Sequence, residues 1–224
     1  MKNIEFLKSN LIAHRGLHSK DTIENTIKSF TKAMDMGYII ELDIHILSDN
    51  AIVIYHDFNL KRLTYVNKII ETLSYSQLSK IKIKNKYTIP TLRQVMHIVN
   101  GKVPLLIEVK DLNNNTRFEE ELVKILDDYN GEFAIQSMNP FVLDWFYIHR
   151  KNYVIGLIVF NELNYKLLKK CIKKIDFISI NKKELPFKVK KMIIGWTIKN
   201  KEELDKYRPL SDNLICENIL DDFT

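Results

Sequence analysis

Short apolar runs alternate along the chain with longer segments in which apolar positions recur every three or four residues. Runs of this length are typical of buried strands, and the longer period is typical of amphipathic helices. The predicted strands are Leu11–His14, Ile39–Ile46, Pro104–Lys110, Glu132–Met138, Val154–Phe160, Phe177–Asn181, Met192–Ile198 and Asn213–Asn218. The predicted helices are Ile23–Gly37, Leu92–Asn100, Arg117–Tyr129, Pro140–Lys151, Glu162–Lys174 and Lys201–Tyr207, with a weaker pattern at Pro186–Lys191.

Strands that alternate with helices indicate βαβ units and a parallel sheet. Eight strands in this rhythm predict an α/β fold of the (β/α)8 TIM-barrel type. No linker interrupts residues 1–224, so we expect a single domain. An open, doubly wound sheet is the alternative, although no G-x-G-x-x-G follows the first strand, which argues against a dinucleotide-binding version.

Two segments depart from the rhythm. A second strand-like run at Ala51–His56 directly follows strand two, and this predicts an antiparallel hairpin beside the barrel, then an insertion with a short helix near Ser74–Ile81. Few residues follow the eighth strand, so we expect a truncated last helix. We expect Asn3–Lys8 to form a short helix across the barrel bottom, where Phe223 or a second copy of the chain would close the remaining gap.

The composition is typical of a soluble globular protein and gives no indication of a membrane-spanning or nucleic-acid-binding one. The 224 residues are 46% hydrophobic and 28% charged, as in soluble globular proteins, and no apolar run reaches the ~20 residues of a spanning helix. Both cysteines, Cys171 and Cys216, lie in apolar contexts, which predicts buried free thiols in a reducing compartment, the cytoplasm. The net charge is +6, but the lysines are scattered and no nucleic-acid motif accompanies them.

Polar side chains occur inside the predicted strands. They are His14-Arg15, Glu41, Asp43 and His45, His56-Asp57, and Glu108 with Lys110. Alternation places Glu41 and Asp43 on one strand face, and inward carboxylates near a strand end are costly unless they are paired or bind a cation. Three converging acids predict a hard divalent cation, Mg²⁺ or Ca²⁺. The alternative is a buried ion network of the same acids with Arg15 and Lys110.

At this point the chain resembles the glycerophosphodiester phosphodiesterases. The matching pieces are His14-Arg15-Gly16, Glu24-Asn25-Thr26, Glu41-Leu42-Asp43-Ile44-His45, Tyr55-His56-Asp57 with Leu60 and Arg62-Leu63-Thr64, Ile89-Pro90-Thr91-Leu92, Ile107-Glu108-Val109-Lys110, Gln136-Ser137-Met138-Asn139-Pro140 and Gly195-Trp196-Thr197. They occur in the family's order and cover nearly the whole chain. The His14-Arg15-Gly16 motif alone is a weak indication of the family, but the whole set in this order is a specific signature.

The resemblance implies a metal-dependent TIM-barrel enzyme that cleaves glycerophosphodiesters to sn-glycerol 3-phosphate and an alcohol. It implies that Glu41, Asp43 and Glu108 hold the metal and that His14 and His56 are the general acid/base pair. It also implies that Arg15 and Lys110 bind the phosphate and that Trp196 lines the glycerol side of the site. The chemistry is consistent, because cations neutralise charge that builds on a phosphodiester. Histidine, with a pKa near ~6.5, can both donate and accept protons near neutrality.

Several further residues stay open. His45 and His18 are candidates to touch the site, whereas Glu24 either favours a helix start or supports the site, and Asp57 either orients a neighbour or caps a turn. His97 and His149 are expected on helix surfaces. Cys216-Glu217-Asn218 replaces the family's usual Thr-Asp-x-Pro, so the contribution of the last strand is open.

We therefore expect an enzyme that acts on a small glycerophosphodiester, as a monomer or homodimer. One alternative is a lyase or phospholipase related to sphingomyelinase D, which would form a cyclic phosphate from an intact lipid. Another is a barrel that binds a ligand without catalysis. The joint presence of both histidines, all three acids, Arg15 and Lys110 argues against the last alternative.

Overall fold

Strands and helices alternate throughout the computed structural model, which describes residues 2–111, 116–160 and 162–217. The strands are β1 (Ile12–Ala13), β2 (Ile39–Ile46), β3 (Ile52–Ile54), β4 (Lys82–Ile83), β5 (Tyr87–Thr88), β6 (Leu105–Val109), β7 (Phe133–Ser137), β8 (Val154–Val159), β9 (Phe177–Asn181), β10 (Met192–Ile198) and β11 (Asn213–Cys216). The α-helices are α1 (Ile27–Asp35), α2 (Lys61–Thr64), α3 (Tyr75–Leu78), α4 (Leu92–Val99), α5 (Arg117–Leu126), α6 (Pro140–His149), α7 (Glu162–Cys171) and α8 (Lys201–Tyr207).

Eight parallel strands close into a barrel in the order β1, β2, β6, β7, β8, β9, β10, β11. The closure lies at β1, where Ile12 pairs with Ile39 of β2 on one side and with Ile215 of β11 on the other. Each of the eight apolar runs contains one of these strands, so the predicted TIM barrel is confirmed and the open sheet is wrong.

An apolar plug fills the amino end of the barrel. Phe6 and Leu7, from a 3₁₀ turn at Glu5–Lys8, are buried against the first inward residues of the strands. These inward residues are Ile12, Ile39, Leu106, Ala134, Val154, Phe177, Met192, Ile194 and Ile215. The predicted short helix across the barrel bottom is confirmed, as a 3₁₀ turn. Phe223 and the predicted truncated last helix lie outside the described residues.

The predicted hairpin is also confirmed, since β3 runs antiparallel to β2 with Ile44 opposite Ile54. The insertion that follows is richer than the single short helix predicted. It contains α2, a 3₁₀ turn at Ile70–Thr72, α3 and the small β4–β5 hairpin, and it has a hydrophobic cluster of its own. Tyr55 lies fully buried in that cluster, directly before His56.

The helix predicted at Pro186–Lys191 is wrong. The segment is an irregular loop with bends at residues 186 and 189–191. Leu185, Phe187 and Val189 pack against the core while Lys188 and Lys190 are exposed, and this period of two does not suit a helix face. A 3₁₀ turn at Lys182–Glu184 lies just before it.

Other expectations of the sequence are met in the part of the chain that the structure describes. Cys171 and Cys216 are buried and unpaired. His97 and His149 are exposed on α4 and α6. Across the described residues, no helix combines the length and the apolar character that a membrane crossing needs.

Candidate active site

The inward face of each strand changes from apolar to polar toward its carboxyl end. On β2 the inward series runs Ile39, Glu41, Asp43, and on β6 it runs Leu106, Glu108. Asp43 and Glu108 are register partners, so the acids of the two neighbouring strands meet at one level. The polar level therefore lies directly above the apolar plug, at the end of a parallel barrel where active sites form.

A cleft of about 140 Å³, partly open to solvent, lies at these carboxyl ends. Seven of the eight predicted site residues line it: His14, Arg15, Glu41, His56, Glu108, Lys110 and Trp196. The eighth, Asp43, is only 1% exposed and contacts Lys110 and Arg15 from below. The structure thus brings all eight predicted residues together, in the cleft or directly beneath it.

The three acids form a tight cluster, in which Glu41, Asp43 and Glu108 each offer an oxygen within 4.8 Å of the others. Lys110 Nζ contacts Glu108 and lies 3.0 Å from Asp43 Oδ1, and Arg15 Nε lies 3.5 Å from Asp43 Oδ2. The ion network considered as an alternative is therefore present. When all three carboxylates are ionised, Arg15 and Lys110 leave one negative charge, which a bound proton or a further cation can balance.

The charges of the cluster are unevenly distributed. Burial, together with the charges of Asp43 and Glu108, raises the pKa of Glu41 well above its usual range, and burial raises the pKa of Glu108 to about 7. Burial would also raise the pKa of Asp43, but Lys110 and Arg15 hold it well below its usual range. Glu41 and Glu108 therefore tend to hold protons that a divalent cation could displace, and this oxygen-only donor set fits such an ion.

The turn after β1 has positive φ angles at two residues, and one of them is a glycine that the packing against α1 requires. Arg15 and Gly16 have φ angles of 54° and 77°, and Asn25 has 53°. A Cβ on Gly16 would lie 2.7 Å from Ser29 Oγ and 2.9 Å from a Phe30 ring carbon, so only glycine fits against α1. The Arg15 carbonyl accepts a hydrogen bond from the Asn25 backbone (2.9 Å), which ties the two motif turns together.

The Glu24-Asn25-Thr26 segment supports the acids directly. Asn25 Nδ2 donates to Asp43 Oδ2 (2.9 Å), and Arg15 Nη1 donates to Glu24 Oε1 (2.7 Å). Burial alone would raise the pKa of Glu24, but hydrogen bonds from Arg62 and the charge of Arg15 lower it to about 2. Glu24 is therefore a supporting contact that holds Arg15 in place, whereas the contact of Asn25 with Asp43 was not predicted.

Each of the two candidate acid/base histidines has a carboxylate behind it. His56 Nδ1 lies 2.6 Å from Asp57 Oδ1, and Asp57 also accepts from Arg62 Nε. His14 Nδ1 lies 3.3 Å from Glu217 Oε2, and that contact lowers the pKa of Glu217 to about 2. Burial lowers the pKa of His56. Asp57 thus orients His56, and the last strand contributes to the site through Glu217.

The remaining two histidine candidates differ. His45 is fully buried behind the site, where its Nε2 lies 3.3 Å from the carbonyl oxygen of His56 and its Nδ1 lies 3.2 Å from Glu71. It supports the loop that carries His56 and does not line the cleft. His18 lies beside His14, with ring centroids 6.4 Å apart, and burial lowers its pKa.

Three further polar side chains of the cleft lie outside the acidic cluster, and sequence reasoning gave a role to only one of them, Trp196. Gln136 on β7 is the register partner of Glu108 on β6 and so lies beside the acids. Gln136 Oε1, Ser179 Oγ and Trp196 Nε1 line the cleft and are buried without a hydrogen-bond partner in the described part of the chain. Ser179 and Trp196 lie on β9 and β10, across the barrel from β2 and β6. The sequence does indicate them in one way, because each of these polar residues occupies a position whose side chain points into the barrel on an otherwise apolar strand.

Comparison with known proteins gives a consistent result. The model of the glycerophosphoryl diester phosphodiesterase family matches residues 14–177. A glycerophosphodiester phosphodiesterase of Caldanaerobacter subterraneus is 34% identical over 149 residues, 61% of each chain. A human lysophospholipase D is 32% identical over 173 residues, which are 77% of this chain and 50% of that protein. The chain thus spans between about half and three-fifths of the length of these curated relatives.

Solved structures match over nearly the whole chain. An Oleispira antarctica phosphodiesterase in complex with the product sn-glycerol-3-phosphate has a TM-score of 0.80 at 21% identity, with 92% of each chain covered. A glycerophosphodiester phosphodiesterase of Thermotoga maritima has a TM-score of 0.76 at 22% identity, covering 92% of this chain and 94% of that one. At these identities the likeness establishes the fold.

Proposed function

Because the chain belongs to the glycerophosphoryl diester phosphodiesterase family, we propose that it hydrolyses glycerophosphodiesters to sn-glycerol 3-phosphate and an alcohol. The observation that carries the proposal is a single cleft that joins three acids, two cationic side chains and two histidines. Each histidine has a carboxylate partner, so the cleft holds the groups that a phosphodiester hydrolysis requires.

Glu41, Asp43 and Glu108 would hold a divalent cation, and the oxygen-only donor set favours Mg²⁺ or Ca²⁺. When bound, such an ion supplies positive charge to a phosphate oxygen. The raised pKa values of Glu41 and Glu108, which reflect their burial and the neighbouring charge of Asp43, support this assignment.

Arg15 and Lys110 would bind the phosphate. The Arg15 guanidinium is a planar fork that suits two phosphate oxygens, whereas Lys110 is a point charge. Arg15 is fixed by Glu24 and Asp43, and Lys110 by Asp43 and Glu108, so both cations stand ready before substrate arrives. Preorganised charge of this kind lowers the barrier because it needs no rearrangement as negative charge builds on the phosphate.

His14 and His56 would move the protons. In each, a carboxylate that accepts from Nδ1–H fixes the tautomer and leaves Nε2 to act on the substrate. One histidine takes the proton of the attacking hydroxyl and the other gives a proton to the departing alkoxide. The lowered pKa of His56 keeps it neutral near pH 7, which suits a proton acceptor.

The side of the cleft that β7, β9 and β10 form would bind the glycerol. The glycerol hydroxyl groups can donate to Gln136 Oε1 and accept from Trp196 Nε1, while the Ser179 hydroxyl can do either. A buried polar atom that stays unpaired is costly, so these three atoms favour a polyol over a purely apolar alcohol on this side.

The test is incubation with glycerophosphocholine and glycerophosphoethanolamine, with and without EDTA, followed by phosphorus NMR. We expect glycerol 3-phosphate, loss of turnover in EDTA, and recovery with Mg²⁺ or Ca²⁺. Accumulation of a cyclic phosphate would instead support the sphingomyelinase D-like lyase. No turnover of any substrate with added metal would leave the non-enzymatic ligand-binding barrel.

A lysophospholipid is the second candidate substrate, because exposed apolar side chains lie in the cleft and just beyond the carboxyl ends of neighbouring strands. Met138 lines the cleft and is 37% exposed, and Phe141 and Phe160, which follow the carboxyl ends of β7 and β8, are 62% and 50% exposed. Exposed apolar groups at a site entrance can receive an acyl chain. The lysophospholipase D relative supports the same substrate class.

Phe141→Ser distinguishes the two substrates. We expect it to lower kcat/KM for lysophosphatidylcholine and to leave kcat/KM for glycerophosphocholine unchanged. The matched control is Ile148→Ser, since Ile148 is equally exposed (62%) but stands at the other end of α6. Equal effects of Phe141→Ser on both substrates would contradict an acyl-chain role.

We also propose a cytoplasmic location, which the two buried, unpaired cysteines support. The chain would act as a monomer or homodimer. Sedimentation of the purified protein over a range of concentrations distinguishes these two states.

A further inference from the structure

A second group of metal-ligating side chains lies where the first and last strands meet. Ala13 and Cys216 are register partners in the parallel β1–β11 pair, so the next residues of the two strands, His14 and Glu217, emerge side by side. The His14 backbone N–H donates to the Cys216 carbonyl (2.9 Å) and fixes this level. The turn after β1 then brings His18 back beside His14.

The donor atoms of this group have the spacing of a metal site. His14, His18 and Glu217 each offer one atom within 4.8 Å of the others, and His14 Nδ1 lies 3.3 Å from Glu217 Oε2. Tetrahedral zinc with ~2.0–2.1 Å bonds holds its ligands about 3.3 Å apart. His18 Nε2 is buried, and within the described residues it has no hydrogen-bond partner, so its nitrogen is available to a ligand.

We infer that His14, His18 and Glu217 form a second cation site, separate from the acidic cluster and selective for Zn²⁺ or a similar transition metal. Two imidazoles and one carboxylate suit zinc, whereas Mg²⁺ and Ca²⁺ prefer oxygen ligands only. A fourth position remains for water. Lys199 Nζ lies 3.9 Å from Glu217 Oε2, but its side chain is 63% exposed and can move into solvent when the ion binds.

Zinc at this site inhibits the enzyme. The ion occupies His14 Nδ1 and the Glu217 carboxylate, and so breaks the contact that orients His14 for proton transfer. Binding itself does not depend on the proposed function, whereas the inhibition does. The two sites then have opposite effects, with oxygen-seeking cations supporting turnover and nitrogen-seeking cations stopping it.

The test is calorimetric titration of Zn²⁺ into the 224-residue chain saturated with Mg²⁺. Wild type should bind one zinc beyond the acidic cluster. His18→Ala should raise the zinc Kd at least tenfold, since loss of a ligand costs at least as much as loss of its supporting partners. His18→Gln should behave like His18→Ala, and His97→Ala, which removes an exposed histidine on α4, should leave the Kd unchanged.

The inhibition is measured as the rate of glycerophosphocholine hydrolysis at increasing zinc concentrations. The rate of each variant is compared with the rate of the same variant without zinc. The half-inhibitory zinc concentration should rise at least tenfold in His18→Ala and stay constant in His97→Ala. Equal zinc Kd values in wild type and His18→Ala, or loss of zinc binding in Asp43→Asn with its fold intact, would overturn the site. Zinc binding without any hydrolysis would contradict the proposed function and leave the site standing.

Discussion

The two ends of the barrel interior are built from the same strands and differ in almost every property. On β6, Leu106 belongs to the apolar plug and Glu108 to the acidic cluster, although two residues span only ~7 Å. The amino end buries the apolar side chains of Phe6 and Leu7, whereas the carboxyl end concentrates like charges. The comparison teaches that stability and chemistry are separated along each strand.

The separation has an energetic reason. Burying carboxylates costs free energy unless they are paired, and Glu41 and Glu108 are only partly compensated. The plug directly beneath contributes hydrophobic stabilisation that offsets this cost. Substitutions at the two ends should therefore affect different observables, activity at the carboxyl end and stability at the amino end.

The largest expected effect is at the carboxyl end. His56→Ala should lower kcat by roughly 10²–10⁴, the range for one acid/base group, while its melting temperature stays close to wild type. His97→Ala, an exposed histidine on α4, is the matched control and should keep wild-type kcat. If kcat of His56→Ala stays near normal with glycerophosphocholine, His56 does not transfer a proton.

At the amino end, Leu7→Ala should lower the free energy of unfolding by about 2–5 kcal/mol, because Leu7 is fully buried in the plug. Its kcat should stay unchanged, since the plug makes no contact with substrate. Lys8→Ala removes an exposed neighbour on the same turn and serves as the control. Denaturant unfolding measures the free energies, and a loss of kcat in folded Leu7→Ala would contradict the separation of the two ends.

Removal of metal should make the carboxyl end sensitive to pH. The pKa of Glu108 is about 7 in the folded chain against an ordinary 4.5, so between these values the metal-free folded state binds more protons than the unfolded state. Its stability must then fall as pH rises, by up to about 3 kcal/mol. Melting curves from pH 5 to 8 in EDTA measure this, and Mg²⁺ should stabilise the protein most at pH 8.

Glu108→Gln is the control for this pH dependence, because the amide does not titrate. The difference between wild type and Glu108→Gln isolates the contribution of Glu108 from that of His56, whose lowered pKa acts in the opposite direction. Parallel curves for the two proteins would show that Glu108 does not carry the effect.

The smallest expected effect lies at the boundary between the two ends. A Cβ on Gly156 would lie 2.3 Å from a ring carbon of Phe177, which is fully buried. Gly156→Ala should therefore cost about 1–3 kcal/mol of stability through overpacking. Adding Phe177→Leu makes room for the methyl group, so the double variant should be more stable than the sum of the two single changes predicts. Strict additivity would contradict this direct contact.

The strands could be predicted because each is marked by a continuous run of apolar residues in the local sequence. Met192–Ile198, for example, has the same bounds in sequence and structure, since a buried parallel strand is a continuous apolar run. The segment Pro186–Lys191 was mistaken because its charges suggested a helix face, whereas its apolar residues alternate with a period of two. Short segments of this kind support either period.

The site was predictable where a motif carried it and not where distant residues meet. Glu41, Asp43 and Glu108 follow from parity and resemblance. The pairing of His14 with Glu217 spans 203 residues and depends on barrel closure. Ser179 was missed, and Gln136 was quoted in a motif without a role. One polar residue in an apolar strand gives no sign of its partner, and only the folded barrel places both in the cleft.

The apolar plug also has a consequence for how the chain folds during translation. Asn213 Nδ2 donates to the Leu7 carbonyl across 206 residues of sequence, so the plug is synthesised early and receives this contact late. At ~5–20 residues per second, the ribosome takes roughly 10–40 s to cover that distance. Throughout that interval Phe6 and Leu7 lack the strand that completes their pocket, so their apolar side chains stay exposed while the rest of the chain is synthesised.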